Sequence, residues 1–582
     1  MLEVDLREIR FHSYDELVRT FKWNIPSHFN IGESILDRKI KEGLGDNIAI
    51  YYEDEEGNHF AYTFTQLKNL SDSLITILRE IGVKRGDVVG IYLQPRVETV
   101  ISILSLYRLG AISLSISPLM GAESVEYRIR QSDAKAIIIE GSRREVRQKL
   151  RNITKIIVAD SARDESEIDF DEVKRTSGVY YAVDTKSNEP AQLFYTSGST
   201  GAPKGVLHAH RFLLGHIPAY QLYFEMAPKE EDVFYTPADW GWIGAIGDVL
   251  LPSLYFGKPI VAYRRLGKFS PKDALAIMQK YKVTCAFIPP TALRMIRREV
   301  INPRRDYDLR LRAISSAGEA VGEDLLEWAI KKLSPNVNEF YGCTEANLVT
   351  VNNSIWRKIG SIGKATPGHE IAVIDEKGNK VINQVGEIAV RMEDPVLFLG
   401  YYKNPEATAK KFRGYWFLMG DLGLMDQNGY IWFKGRGDDV IKVSGYRLGP
   451  EEIESVILQH SAVQEVAVIG KPDKLRGNII KAFIVLKDGY SASDNLVQEI
   501  QEFVKNRLAL YAYPREIEFV KELPRTETGK LKRFELRKKK KKKVDLFQLS
   551  CIPTLSWGDS NAAIPPNIEA DISKIAIPKT GL

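Results

Sequence analysis

The segment YTSGSTGAPKG (195–205) combines hydroxyl side chains, glycines and a lysine, a composition typical of a loop that binds phosphate. Backbone N–H groups and hydroxyls surround phosphate oxygens in such loops, and a lysine adds a positive charge. In a P-loop the lysine directly follows a glycine, whereas Lys204 lies between Pro203 and Gly205. We therefore predict a phosphate-binding loop of another type, with a plain surface loop as the alternative. Its candidate residues are Thr196, Ser197, Gly198, Ser199, Thr200, Gly201 and Lys204.

The residues on both sides of this loop favour strands, QLFYTSG before it and GVLHAH after it, so we expect a hairpin-like connection. Five further segments follow along the chain: TPADWGWIGA (236–245), SSAGEAV (315–321), YGCTEAN (341–347), the segment 415–454, and PRTETGKLKR (524–533).

With the loop, these segments resemble, in order, the motifs of the adenylate-forming superfamily, which includes acyl-CoA synthetases, nonribosomal adenylation domains and luciferases. The resemblance covers roughly residues 20–537, and the chain is similar to the acetyl-CoA and medium-chain acyl-CoA synthetases. It implies an AMP-forming acid–thiol ligase that uses ATP, Mg²⁺ and CoA and proceeds through an acyl-adenylate. Such a reaction spreads charge over phosphate oxygens, so positioning and cations matter more than a covalent nucleophile.

The resemblance also implies roles for the phosphate-binding residues. The loop would hold the β- and γ-phosphates, Thr344 would contact the α-phosphate, and Glu345 would bind Mg²⁺, a cation that prefers oxygen ligands. Lys530 would move into the site during adenylation. The alternative for Glu345 is a surface glutamate in a turn, and the alternative for Lys530 is an ordinary lysine of a basic C-terminal stretch.

Further residues are assigned to the rest of the nucleotide and to CoA by the same resemblance. Asp421 would accept hydrogen bonds from the ribose hydroxyls, Arg436 and Arg447 would approach the nucleotide, Asp438 would be a hinge, and Gly445 would line the pantetheine tunnel. The adenine and ribose would be lined by three consecutive residues, Gly318, Glu319 and Ala320. The two arginines could instead be solvated charges.

The acyl pocket is predicted at Ile243, Gly244, Ala317 and Gly342. Acetyl-CoA synthetases carry a tryptophan at the position of Gly342, so the small residues here favour short-branched or medium-chain acids, and a hydroxybutyrate would also fit. Each buried methylene contributes about 0.8 kcal/mol. The alternatives are an acetate or propionate ligase and, less favoured, an amino-acid adenylation enzyme; the tail 544–582 is too short for a carrier domain.

The type of secondary structure that must position these residues changes along the chain. Apolar strands alternate with amphipathic helices over the first 350 residues, which predicts helix-covered, mostly parallel sheets. Residues 360–435 read as short strands with turns, typical of a small antiparallel sheet or barrel. A new α+β pattern follows. We predict an α/β fold with a large domain (1–437), a small mobile C-terminal domain (438–537), and a lysine run with an irregular tail (538–582).

Composition and charge limit the other function classes. Net charge is +5 and owes much to the lysine run, so we expect small-molecule partners and no nucleic acid, although the run could tether the chain to a polyanion. Three separate cysteines favour a reducing, cytoplasmic location without a metal site. The apolar segment 99–116 contains Arg108 and Gly110, which predicts a buried helix and strand rather than a membrane span. Oligomeric state stays open, and the tail could be functional or a reading-frame artefact.

Overall fold

The computed structural model describes residues 2–537, apart from 153, 161–163, 165, 197–201, 266, 268, 320, 438, 440, 444–445, 449, 474–476, 508–512, 526–530 and 534. The α-helices are α1 (Tyr14–Thr20), α2 (Arg38–Lys41), α3 (Phe64–Glu80), α4 (Val97–Leu109), α5 (Ala122–Ser132), α6 (Arg144–Leu150), α7 (Phe170–Arg175), α8 (Phe212–Tyr223), α9 (Ile243–Ala245), α10 (Leu251–Tyr255), α11 (Pro271–Lys280), α12 (Pro290–Glu299), α13 (Pro303–Asp306), α14 (Glu323–Lys332), α15 (Pro405–Ala409), α16 (Pro450–Ile457) and α17 (Asp494–Arg507). A 3-10 helix covers Leu6–Glu8, and π-helical turns cover Glu33–Asp37 and Ile246–Leu250.

The strands are β1 (Ile48–Asp54), β2 (His59–Thr63), β3 (Val88–Tyr92), β4 (Ile112–Ser115), β5 (Ala136–Ile139), β6 (Lys155–Val158), β7 (Ile168–Asp169), β8 (Pro190–Thr196), β9 (Lys204–Ala209), β10 (Phe234–Tyr235), β11 (Ile260–Arg264), β12 (Cys285–Phe287), β13 (Ala313–Ser316), β14 (Val337–Cys343), β15 (Ala346–Asn352), β16 (Lys364–Ala365), β17 (Ile371–Ile374), β18 (Val385–Arg391), β19 (Gly400–Tyr401), β20 (Phe412–Arg413), β21 (Trp416–Met425), β22 (Ile431–Arg436), β23 (Ile441–Val443), β24 (Tyr446–Leu448), β25 (Val463–Asp473), β26 (Gly477–Leu486) and β27 (Glu516–Phe519).

Two large sheets form the frame of the chain. Within the described residues one sheet has the order β16-β15-β14-β13-β12-β10-β11-β1-β2 and the other β19-β9-β8-β4-β3-β5-β6-β7. Their central strands are parallel, and antiparallel pairs occur towards the edges. Helices α4 and α8 are buried along their whole length, and their residues share one apolar core with residues of both sheets. The predicted helix-covered, mostly parallel sheets are confirmed.

The apolar segment 99–116 forms α4 followed by β4, as predicted. Arg108 is fully buried on α4, where its guanidinium donates to both carboxylate oxygens of Asp37 at 2.8 and 2.9 Å and to Asp72 at 2.6 Å. A buried charge needs such partners because it has lost its hydration. In the described part of the chain no helix is long and apolar enough to cross a membrane.

Within residues 371–436, five strands form the predicted small antiparallel sheet. Strands β17, β18, β21 and β20 lie in that order, and β22 pairs with β21. Beyond it, β25, β26 and β27 form a sheet of their own whose core also contains residues of α16 and α17. This is the predicted α+β pattern.

The chain divides into two compact units, residues 1–534 and 535–582. Of the second unit the structure describes residues 535–537, which are helical. The lysine run and the tail lie outside the described residues. The predicted boundary at residue 438 and the mobility of the C-terminal domain stay predictions.

Candidate active site

The predicted phosphate loop closes a hairpin. β8 and β9 pair antiparallel with Thr196 opposite Lys204, and β9 pairs in turn with β19. This confirms the expected hairpin-like connection. Residues Ser197 to Gly201 lie outside the described part of the chain. At the far end of the loop, the Lys204 ammonium lies 5.1 Å from the centre of the Tyr401 ring on β19.

The YGCTEAN segment forms a second hairpin beside the first. Strands β14 and β15 pair through Cys343 and Ala346, so Thr344 and Glu345 form a two-residue turn. His208 on β9 contacts the Thr344 carbonyl oxygen through Nε2 at 2.8 Å. Burial lowers the pKa of His208 to about 4, so the ring is neutral at pH 7 and Nε2 must carry the proton that it donates.

Glu345 is buried and held by Tyr401. The Tyr401 hydroxyl donates to Glu345 Oε1 at 2.6 Å. Burial, together with the Glu345 carboxylate, raises the pKa of Tyr401 well above its usual range, so the phenol stays a donor. Lys204, Tyr401 and Glu345 therefore form one connected group, although they come from three separate segments.

The donor set fits a magnesium ion bound largely through a nucleotide. Across the described residues no group of three or more His, Cys, Asp or Glu side chains could hold a metal. Mg²⁺ in nucleotide sites commonly has one or two protein carboxylates and takes its other oxygens from phosphates and water. A single buried carboxylate such as Glu345 is consistent with that pattern, and Thr344 next to it supplies a hydroxyl.

Asp421 and Arg436 face each other on neighbouring strands. They are directly opposite in the β21–β22 pairing, with Arg436 Nε 3.5 Å from Asp421 Oδ1. The Tyr341 hydroxyl donates to Asp421 Oδ2 at 2.6 Å. Because Tyr341 lies on β14 just before the Thr344–Glu345 turn, this hydrogen bond links the predicted ribose and metal residues.

The segment after β13 places the residues predicted to line adenine at the surface of the parallel sheet. Gly318 is exposed, and Glu319 makes an ion pair with Arg294 and accepts a hydrogen bond from Thr291, both on α12. Ala317 is buried, whereas Ala320 lies outside the described residues. The structure thus brings Ala317 to Glu319 to the carboxyl end of β13.

Four further predicted residues cannot be placed. Asp438, Gly445 and Lys530 lie outside the described residues, and for Arg447 only the backbone, in β24 opposite Lys442 of β23, is described. A bridge between Arg525 and Leu531 brackets the segment that contains Lys530. Their roles stay predictions.

The predicted acyl pocket residues Ile243 and Gly244 begin α9. A Cβ built on Gly244 would lie 3.4 Å from Phe287 Cε1 and 3.6 Å from Asp248 Oδ2, which are ordinary contact distances. Three residues earlier, a Cβ on Gly241 would lie 2.4 Å from the Cα and N atoms of Ser117. Glycine at 241 therefore allows the segment before α9 to lie directly against the segment after β4.

Gly342 has a different environment. It lies at an irregularity of the β14–β15 pairing, and a Cβ there would be 2.6 Å from the Leu348 backbone nitrogen and 2.7 Å from Asn347 Cα. The hairpin backbone thus requires glycine at this position. The predicted contribution of Gly342 to pocket size stays a prediction.

Several functional candidates were not found from the sequence. Tyr341, His208 and Tyr401 orient predicted site residues, and Phe287 and Asp248 border Gly244. Tyr341 begins the YGCTEAN segment and His208 lies in GVLHAH, so their places in these segments could have indicated them. The other residues lie outside the motif segments. Cys343, where glutamine is the common residue, packs its sulfur 3.9 Å from that of Met419.

Comparisons with known proteins agree with this geometry. The family model described as AMP-binding enzyme matches residues 37–402, and the model for the C-terminal domain of AMP-binding enzymes matches residues 452–530. The chain is 34% identical to the mitochondrial acyl-coenzyme A synthetase ACSM3 of Mus musculus over 91% of this chain and 93% of the relative. It is 33% identical to the acetyl-coenzyme A synthetase of Bacillus subtilis (strain 168) over 90% and 94%, respectively.

A solved structure shows the same architecture. The anthranilate CoA ligase AuaEII, crystallised in complex with anthranoyl-AMP, superposes with a TM-score of 0.79 at 29% identity over 90% of this chain and 99% of that one. This likeness confirms the predicted fold class. The chain belongs to the AMP-binding enzyme family and is an AMP-forming acyl-CoA synthetase.

Proposed function

We propose that this enzyme activates short-branched or medium-chain carboxylic acids, larger than acetate, through an acyl-adenylate. ATP and CoA are the co-substrates of the reaction, and Mg²⁺ is its metal. A carboxylate oxygen attacks the α-phosphorus, diphosphate leaves, and the CoA thiol then displaces AMP from the acyl carbon with loss of its proton. Charge moves onto phosphate oxygens in the first step, where positive groups stabilise it.

The environment of Gly244 carries the proposal on acid size. The volume that a side chain would take at this position is bounded by Phe287 and Asp248, with no overlap for a first carbon atom. An acyl chain can use that volume, and each methylene buried there contributes about 0.8 kcal/mol. Ala317, also small and buried, is the second residue of the proposed pocket.

The connected group Lys204, Tyr401 and Glu345 supports the proposed phosphate end of the site. Glu345 would hold Mg²⁺, which neutralises phosphate charge when bound, while Lys204 and the loop residues would bind the departing diphosphate. Tyr401 holds the carboxylate in place for that task. The ring of Tyr401 also contacts the Lys204 ammonium, so one tyrosine lies between Lys204 and Glu345.

Asp421 and Arg436 support the proposed nucleoside end. A carboxylate offers about four lone-pair positions, so Asp421 can accept from ribose hydroxyls while it accepts from Tyr341. Arg436 is about half exposed and lies directly across the strand pair, where it can reach a phosphate. Lys530 would supply a further cation from the C-terminal segment.

The test is a chain-length series with graded variants at one position. Acids from acetate to decanoate, straight and branched, are compared by kcat/KM for diphosphate release in the wild type, Gly244→Ala and Gly244→Val. We expect the wild type to prefer acids longer than acetate. The Val variant should lose at least about tenfold in kcat/KM for longer acids relative to acetate, because its branches would overlap the acyl chain, and Ala should lie between.

Three outcomes contradict the proposal. A wild-type preference for acetate or propionate would assign the enzyme to that substrate class instead. Chain-length profiles that do not differ among the three proteins would show that Gly244 does not line the pocket. Diphosphate exchange driven by amino acids rather than fatty acids would favour an amino-acid adenylation enzyme.

A further inference from the structure

Three buried polar side chains lie directly beyond Gly244. Asp248 follows Gly244 by one helical turn in the π-helical segment, His216 lies on the buried helix α8, and Asn347 is the second residue of β15, after the Glu345 turn. Asp248 and His216 are each at most 1% exposed, and Asn347 is 5% exposed. Buried polar groups are costly unless they are hydrogen-bonded, so each of their atoms needs a partner.

Among the described residues, one ring nitrogen of His216 has no hydrogen-bond partner. Nδ1 lies 2.7 Å from the Phe212 carbonyl oxygen, which can only accept, so Nδ1 carries the proton. Burial lowers the pKa of His216 to about 3, and the neutral ring then has an acceptor lone pair on Nε2. Among the described residues nothing donates to this atom. It lies over Gly247, where a Cβ would be 3.2 Å away.

Asp248 has one oxygen occupied and one that faces Gly244. Asn347 donates to Oδ1 at 2.6 Å, and the distance from Oδ1 to His216 Nε2 is 3.6 Å, too long for a hydrogen bond. Burial raises the pKa of Asp248 well above its usual range, which favours the neutral carboxyl group. In that neutral form, with Oδ1 accepting from Asn347, the proton would reside on Oδ2, the oxygen 3.6 Å from the Cβ position of Gly244.

The cluster thus presents one donor and one acceptor at the same end of the proposed pocket. The donor is Asp248 Oδ2, 3.6 Å from the Cβ position of Gly244, and the acceptor is His216 Nε2, 3.2 Å from that of Gly247. A hydroxyl group is the simplest ligand that accepts one hydrogen bond and donates another. An ammonium group would instead require the buried Asp248 to ionise.

We propose that Asp248 and His216 recognise a hydroxyl group at the far end of the acyl chain, so that the preferred substrates are ω-hydroxy acids. This inference rests on the proposed function, because it takes Ile243 and Gly244 as lining the acyl pocket. A site built to bind a hydroxyl rejects the analogue that lacks it, since the buried donor and acceptor are then left unpaired.

The experiment compares acids of equal length that differ only at the last atom. The pairs are 3-hydroxypropanoate with butanoate, 4-hydroxybutanoate with pentanoate, and 5-hydroxypentanoate with hexanoate, each measured as kcat/KM for acid-dependent diphosphate release. In the wild type we expect the hydroxy acid of the best pair to exceed its methyl partner at least about tenfold. The ratio within a pair is the readout because a change in folded fraction affects both acids equally.

Four variants locate the preference. Asp248→Leu and His216→Phe should each bring the ratio close to one or below, because they replace a hydrogen-bonding group by an apolar one. Asp248→Asn keeps a neutral donor of the same shape and should retain most of the preference. Ser253→Ala is the matched control: this buried hydroxyl contacts Tyr220 in the same helical layer, away from Gly244, and its loss should leave the ratio unchanged.

The outcomes separate this inference from the proposed function. Hydroxyl recognition is overturned if the wild type uses plain medium-chain acids as well as their hydroxy partners and if Asp248→Leu and His216→Phe leave the ratio unchanged. That result leaves the pocket proposal intact. Acetate preferred over every longer acid would overturn the pocket proposal itself. If the enzyme prefers ω-amino acids and Asp248→Asn abolishes that preference, the neutral state assigned to the Asp248 carboxyl group is wrong. If Asp248→Leu does not fold, His216→Phe and Asp248→Asn still decide the question.

Discussion

At the scale of single residues, the candidate site depends on tyrosines that orient acidic side chains. Tyr401 donates to Glu345, and Tyr341 donates to Asp421, each at 2.6 Å. A hydrogen bond to a charged group contributes roughly 1.5–3 kcal/mol, enough to select one carboxylate orientation. We infer that neither tyrosine reacts; each is a positioning residue for a carboxylate that is proposed to contact nucleotide or metal.

Replacing Tyr401 by Phe tests this positioning role. The ring would stay in contact with Lys204, whereas the hydrogen bond to Glu345 would be lost. We expect the Mg²⁺ concentration for half-maximal activity, and KM for ATP, to rise about tenfold with a smaller change in kcat. The measurement is a Mg²⁺ and ATP titration of diphosphate release.

Tyr402→Phe is the control for that variant. The hydroxyl of Tyr402 makes a longer contact, 3.4 Å to the Ser132 carbonyl oxygen, away from Glu345. Its removal should leave the Mg²⁺ dependence unchanged. A fall in kcat for Tyr401→Phe at unaltered Mg²⁺ and ATP dependence would show that Tyr401 does not act through Glu345.

At the scale of elements, α4 shows how the fold holds a charge in its core. Arg108 would be isolated without Asp37 and Asp72, and removing one member of a buried pair commonly costs about 3–5 kcal/mol. We predict that Arg108→Met lowers the free energy of unfolding by about that amount in urea denaturation, because it leaves the Asp37 carboxylate buried and unpaired.

An exposed ion pair provides the comparison for Arg108. Arg85 pairs with Glu189 at 2.6 Å, but its side chain is 49% exposed. Solvent screens such a pair, so Arg85→Met should cost about 1 kcal/mol or less. Equal losses in the two variants would mean that burial does not decide the contribution of Arg108.

The contact between the segment before α9 and the segment after β4 is a second element-scale feature. An alanine at 241 would place its Cβ 2.4 Å from backbone atoms of Ser117, which must then move. We expect Gly241→Ala to lose about 1–3 kcal/mol of stability. Gly244→Ala is the same substitution three residues later, where the new Cβ would lie 3.4 Å or more from its neighbours. It should change stability by less than about 0.5 kcal/mol. Thermal unfolding of both variants measures these losses. A Gly241→Ala variant as stable as the wild type would show that the two segments can separate here.

At the scale of the whole molecule, we expect the two matched family segments to divide the reaction between them. The phosphate loop and Glu345 belong to residues 37–402, whereas Lys530 ends the C-terminal match at 452–530. Lys530 would be needed while charge develops on the phosphates and not when CoA attacks the acyl-adenylate. The two half-reactions should therefore depend on it differently.

Lys530→Ala measures that division. We predict a loss of about 100-fold or more in acyl-adenylate formation, because a positive group at the phosphates is missing. Thioester formation from preformed acyl-adenylate should be largely retained. Lys521→Ala, an exposed lysine of the same segment, should preserve both half-reactions. Comparable losses in both half-reactions of Lys530→Ala would remove the adenylation role.

Much of this protein could be predicted from its sequence. The fold class, the buried helix and strand around Arg108, the β8–β9 hairpin, the small antiparallel sheet and the enzyme class are confirmed. These features depend on residues close together in the chain: a period of apolar side chains, a glycine-rich turn, or a motif of a few residues. Local spacing fixes such features before any long-range packing is known.

Only the tertiary structure decided which side chains meet. Tyr401 and Glu345 are 56 residues apart, Tyr341 and Asp421 are 80 apart, and Asp248 and Asn347 are 99 apart. Such contacts arise where separate strands and buried helices pack against each other, and no local pattern encodes that distance. Gly342 shows the same limit, because the sequence alone did not indicate that a Cβ there would lie 2.6 Å from the Leu348 backbone nitrogen of the facing strand. The sequence by itself determined the reaction; the packing of distant segments determined the orientation of its carboxylates and the polar end proposed for its acyl pocket.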